Sequence, residues 1–215
     1  IHGQTGCWKD YCPVLPQLSR SWHVFAVDCF GHGQSSRSAD RYGLRPHGEA
    51  LIWFVKTVIR RPAVVSGHSS GGLLAAYAAA YGGPLIRGAV LEDPPVFSTE
   101  PAFFPQSFAC QDTYAPLHQY RLTRREECWE AYYLRRCLWG KLFLPSGLAD
   151  RLADYAQRYA RRCPDRPVQF FFLPGSLNSM FLYLRQYDDA FGEMFYDYTW
   201  HCGIPHEQLM TDITV

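Results

Sequence analysis

The chain has 215 residues, 47% of them hydrophobic and 19% charged. That is the balance of a folded globular chain, long enough for one domain with a sizeable core or one domain carrying an insertion. A formal net charge of +1 excludes a global pull toward nucleic acid or acidic membrane, and no apolar run approaches the ~18 residues of a membrane span.

Ile1 reads as the last residue of a buried strand, with His2-Gly3 as the turn leaving it. The chain starts without methionine, directly at a motif that follows a strand. The segment before it, with any targeting signal, is therefore expected to be missing. Residues 7–18 can form a helix, broken early by Pro13 and Pro16. Residues 22–28 are a short apolar run of strand type that ends in the glycine-rich loop 29–36. A helix is expected from Arg45-Pro46 to about Ile59, with Leu51, Phe54, Val55 and Val58 on one face at helical spacing. Pro62 stops it. Residues 63–66 form the next strand, residues 73–80 a helix, Gly82-Gly83-Pro84 a strong stop, and residues 88–92 another strand closed by Asp93-Pro94-Pro95. Strands alternating with helices predict a parallel sheet with crossover helices.

From about Pro101 the texture changes to long, aromatic-rich helical segments: residues 124–144, 148–162 and 179–191. The block reads as a helical insertion lying over the sheet. Its aromatics (Phe103, Phe104, Phe108, Phe170, Phe171, Phe172, Phe181) are expected to be mostly its own core, with a few available to line a pocket. Residues 206–210 look like a short helix, and residues 212–215 like the start of a further strand.

Between the strand at 63–66 and the helix at 73–80 lies Gly67-His68-Ser69-Ser70-Gly71, a G-x-S-x-G pattern. In a strand–turn–helix context it forms a nucleophile elbow. Gly67 and Gly71, having no Cβ, let strand and helix approach closely around a cramped Ser69. The N–H of Ser70, at the helix N-terminus, then points at an oxyanion formed on the substrate of Ser69.

Three motifs in order, His2-Gly3-x-x-Gly6, Asp28-x-x-Gly31-x-Gly33-x-Ser35 and the elbow, resemble the α/β-hydrolase superfamily. The resemblance implies an α/β fold with a mostly parallel sheet, an incomplete core over residues 1–100, a helical cap over 101–197, and a return to a truncated core at 198–215. It implies Ser69 as the nucleophile of an acyl-enzyme, with the backbone N–H groups of Gln4 and Ser70 as the oxyanion hole. The family's acid and histidine usually follow later strands, and the resemblance puts both beyond Val215. Asp93, at the end of the strand after the elbow helix, matches the acid position of some members; a plain turn is the competing reading. His2, His32 and His68 are expected to be structural, and His201 and His206 to be poorly placed as bases.

The eight cysteines show no C-x-x-C and no paired spacing with histidine. Free, mostly buried thiols are expected, with no metal site and no cofactor. The partner implied is a small, apolar acyl substrate. The function expected is a serine hydrolase of the esterase or lipase type, with these 215 residues alone inactive for want of a base. The alternatives are a C–C bond hydrolase or perhydrolase on the same fold, and a non-catalytic binding protein that keeps the elbow.

Overall fold

The computed structural model describes residues 1–123, 126–136, 144–145, 147–166, 168, 170 and 187–213. Two compact units result: Ile1–Phe97 joined by Gln186–Val215, and Ser98–Arg185 between them. The return into the first unit thus begins at Gln186, earlier than the expected 198. Asp188 explains the difference, since its N–H donates to Gly31 O at 2.7 Å and its carboxylate accepts from Tyr42 Oη at 2.5 Å.

The first unit opens with a 3₁₀ turn, Trp8–Tyr11, and one helical turn, α1 (Leu15–Leu18); the expected helix is interrupted at Pro13, while Pro16 sits in the first turn of α1, where its missing N–H breaks no bond. The expected strand at 22–28 joins no ladder. A strand is a paired object, and among the described residues nothing pairs with this run. Helix α2 (Leu44–Phe54) continues into a π turn, Val55–Ile59. The π turn adds a residue per turn and so moves the buried face on by one position. Val55 is buried and Ile59 packs beside it, while Val58, expected on that face, is 47% exposed.

Strand β1 (Ala63–His68) leads through the elbow into α3 (Ser70–Tyr81) and then β2 (Ile86–Glu92). The two strands pair in parallel, with Val65 opposite Ala89 and His68 opposite Glu92. On the other side of β1, Ile1 donates its N–H to Ser66 O at 2.6 Å and accepts from His68 N at 3.0 Å, the bonding of a parallel neighbour to Gly67. Helix α3 is apolar all round and almost wholly buried. It packs against both strands, α2 and the later helical segment His206–Thr211, which is what an all-apolar helix must do. The core joins Val55, Val65, Ala75, Ala78, Ala79 and Ile86.

In the second unit, a π turn at Cys110–Tyr114 runs into α4 (Ala115–Thr123), followed by α5 (Trp129–Arg136) and α6 (Leu148–Arg162). Helix α5 starts later than the expected 124, because residues 126–128 are not helical. Helices α5 and α6 pack through Ala131, Tyr133, Leu134, Leu152, Ala153 and Ala156. Phe104 and Phe170 are buried, but Phe103 and Phe108 are 61% and 51% exposed and are not part of that core. Phe171, Phe172 and Phe181 lie outside the described residues.

Back in the first unit, Asp188 caps α7 (Asp189–Tyr196) by accepting from Ala190 N at 2.9 Å, so the helix expected over 179–191 is not continuous through 187–188. Its earlier part lies outside the described residues. Helix α8 (His206–Thr211) follows. The strand expected at 212–215 is not seen at Asp212, which is the C-cap of α8, and Thr214 and Val215 lie outside the described residues.

Candidate active site

Ser69 has φ 52° and ψ −124°, a positive φ that side chains rarely adopt. Its N–H donates to Glu92 O at 2.9 Å, and its carbonyl accepts from Gly72 N at 2.8 Å and Leu73 N at 3.3 Å. The elbow is therefore held from β2 on one side and from the first turn of α3 on the other. A Cβ at Gly67 would lie 2.0 Å from Gly71 O, and one at Gly71 would lie 2.4 Å from His2 O. Both positions require glycine, as the pattern predicts. Ser70 is the first residue of α3, where helix N–H groups lack intrahelical partners and the helix dipole favours negative charge.

The His2-to-Gly6 loop backs directly onto the elbow. A Cβ at Gly3 would lie 2.9 Å from Ser69 Cβ. The loop is closed by Gly6 N–H donating to Gly3 O at 3.1 Å, with Thr5 at φ 63°. Gln4 sits at its tip, and its side-chain amide donates to the Tyr187 hydroxyl.

The histidines divide by their partners. His2 is buried; its Nδ1–H donates to Gly3 O at 2.7 Å and its Nε2 accepts from Cys29 N at 2.9 Å. Both nitrogens serve the loop. His32 donates from Nδ1 to Phe30 O at 3.0 Å, and burial, with the nearby His2, pushes its pKa down to about 3. His47 donates to Gly43 O at 3.0 Å, and burial lowers its pKa to about 4. His201 donates to Tyr198 O at 3.3 Å, stacks on the Tyr198 ring at 4.0 Å, and is driven by burial to a pKa of about 3. His206 donates from Nδ1 to Val96 O. His68 is exposed on β1. None of these rings is hydrogen-bonded to Ser69 Oγ.

Asp93 follows β2 with φ 47°. Because His68 pairs with Glu92, Ser69 and Asp93 are the next residues along two adjacent strands. Asp93 is exposed and has no histidine on its carboxylate. The Asp28 motif is structural: its carboxylate accepts from Trp8 N at 2.8 Å and Gln34 N at 3.0 Å, and Ser35 Oγ donates to its carbonyl at 2.7 Å. Tyr42, Tyr187 and Asp188, absent from the sequence-based candidates, are the residues that tie the 187–196 segment to these loops. A cavity of about 470 Å³ between residues 26–30 and α2 is lined by Val27, Leu51, Trp53 and Phe54 among others, and Ser69 is not in its lining. Among the described residues no cluster of His, Cys, Asp or Glu could hold a metal ion, seven cysteines are free thiols, and no helix is long and apolar enough to cross a membrane.

A family model described as alpha/beta hydrolase fold matches residues 1–125, more than half of the chain. The chain belongs to the α/β-hydrolase family. Within it, the chain is 36% identical over 76 residues to the magnesium-chelatase 30 kDa subunit of Rhodobacter capsulatus, a match covering 35% of this chain and 27% of that protein. It is 31% identical over 101 residues to the 2-(acetamidomethylene)succinate hydrolase of Mesorhizobium japonicum, covering 46% of this chain and 36% of that one. The matched stretches thus span about a quarter to a third of the curated relatives' length. The solved structure of MenH from S. aureus superposes on all of this chain and 70% of its own, with a TM-score of 0.55 at 17% identity, a likeness of fold.

Proposed function

We propose that the protein is a serine hydrolase acting on a carboxylic ester or a related acyl substrate through Ser69. The observation that carries this is the backbone of Ser69, held at positive φ between β2 and α3 with the His2-to-Gly6 loop against it. Family members keep such strain where a nucleophile must stand clear of the chain. In the proposed step Ser69 Oγ bonds to the acyl carbon, the carbonyl electron pair moves to oxygen, and the serine proton passes to a base. The alkoxide then leaves with a proton, and water releases the acid and restores Ser69. The N–H groups of Ser70 and Gln4 would receive the oxyanion, a contribution of about 10²–10³ in rate per donor. Asp93 is the acid nearest in register to Ser69, and the second unit, Ser98–Arg185, would supply the cap. Serine at position 69 argues against dehalogenase and epoxide-hydrolase chemistry, which use a carboxylate. A C–C bond hydrolase or perhydrolase would use the same Ser69 and oxyanion donors.

The protein in its full natural length is expected to be labelled at Ser69 by a fluorophosphonate and to turn over p-nitrophenyl acyl esters, with both lost in Ser69→Ala. The 215-residue chain should react slower by several orders of magnitude, because no described histidine reaches Ser69 and loss of a triad base costs on the order of 10⁶. Rapid labelling of the 215-residue chain would refute that second expectation. A second reading is a non-catalytic member that keeps the elbow. Absence of labelling in the full-length protein would select it.

A further inference from the structure

The segment that re-enters the first unit after Gln186 meets the proposed oxyanion loop at its tip. Tyr187 is 6% exposed. Its hydroxyl accepts the Gln4 side-chain amide across 183 positions of sequence. Its ring lies 4.9 Å from His32 and 5.9 Å from Phe191. His32 in turn lies 4.9 Å from His2, so a buried run of rings joins the root of the loop to Tyr187. The next residue is fixed three ways: Asp188 N–H on Gly31 O, its carboxylate on the Tyr42 hydroxyl, and the same carboxylate on Ala190 N. Tyr187 is therefore held rigidly, and it holds Gln4.

We infer that Tyr187 is a positioning residue for oxyanion stabilisation: its hydroxyl fixes the Gln4 side chain and through it the direction of the Gln4 backbone N–H. The inference rests on the reading of Ser69 as nucleophile. The loop needs such an anchor. Its internal closure is the Gly6-to-Gly3 bond, with glycine at both ends of that bond, and an oxyanion donor acts only if its direction is set before charge develops. One net hydrogen bond is worth about 1 kcal/mol, or roughly fivefold in rate.

The test is the kinetics of fluorophosphonate labelling of the full-length protein. Ser69 Oγ bonds to phosphorus, the P–F bond breaks, fluoride leaves, the serine proton passes to the base, and negative charge gathers on the phosphoryl oxygen in the oxyanion hole. Tyr187→Phe keeps the ring and removes the hydroxyl; Gln4→Met keeps the length and removes the amide. Each should lower the maximal labelling rate about fivefold while leaving the half-saturating concentration unchanged, with the thermal midpoint lower by only the few degrees that one buried hydrogen bond is worth. The double variant should lose no more than either single one, since both remove the same bond. Wild-type labelling by Tyr187→Phe, or losses that multiply in the double variant, would overturn the inference while Ser69→Ala still abolishes labelling. Failure of the wild-type protein to label at Ser69 would instead remove the nucleophile reading, and this inference with it.

Discussion

At φ 52° and ψ −124° the backbone of Ser69 crowds its own Cβ, a conformation costing about 1–3 kcal/mol outside glycine. Hydrogen bonds from both sides keep it there. Glycine would shed the strain but adds about 0.5–1 kcal/mol of unfolded-state entropy. Ser69→Gly is therefore expected to be more stable than Ser69→Ala by about 1 kcal/mol, read as a higher urea midpoint. A midpoint for Ser69→Gly below that of Ser69→Ala, by the roughly 0.5–1 kcal/mol of the entropy cost alone, would mean that the elbow stores no strain. This residue was legible in the sequence because Gly67, Gly71 and the flanking apolar runs are all local signals. Tyr187 was not. Nothing near residue 187 announces Gln4, and nothing near Asp188 announces Tyr42, 146 positions away. Such pairings are made by the fold, and no short-range pattern encodes them.

Among the elements, β1, α3 and β2 were readable because each is bounded by its own stop signals, Pro62, Gly82-Gly83-Pro84 and Asp93-Pro94. The run at 22–28 has the composition of a strand, but composition does not provide a ladder partner. The π turn at the end of α2 was invisible to a count based on 3.6 residues per turn. Where α2 meets α3, Gly48 makes the contact possible: a Cβ there would lie 2.0 Å from Tyr77 Cδ1. In an isolated helix Gly→Ala stabilises by about 1 kcal/mol. Overpacking costs about 1–3 kcal/mol, and here it falls on the root of a buried ring that cannot simply swing away. Gly48→Ala is therefore expected to destabilise the protein by about 1 kcal/mol or more by denaturant unfolding. A stabilised variant would show that the two helices separate easily.

At the scale of the molecule, the first unit carries three histidines whose burial lowers their pKa from the ordinary 6.5: His32 to about 3, His47 to about 4 and His201 to about 3. As pH falls below about 6.5 the unfolded chain takes up protons at these rings before the folded one does. Their contribution is complete above pH 6.5 and is lost progressively as pH falls toward their folded values of 3 to 4, by up to about 1.4 kcal/mol per pH unit for each ring. Urea midpoints should therefore drop between pH 7 and pH 5, with a shallower slope in His47→Asn. A flat profile over that range would show that these rings are not neutral and buried. The hydrolase fold itself was legible from three motifs in order. The division of the chain was less so, because the aromatic 186–197 segment shares its composition with the block before it and differs only in where Tyr187 and Asp188 anchor.

The π turn at Val55–Ile59 also bears on how this chain aligns with others. An extra residue is usually absorbed in a loop, where it shows as a gap between elements. Here it is housed inside a helix, and Ile59 still reaches the core. A relative shorter by one residue at this point would hold an unbroken α-helix and bury the equivalent of Ile59. An alignment that moves the gap into the loop after Arg60 would then mismatch the helix face of the residues from Lys56 to Arg60.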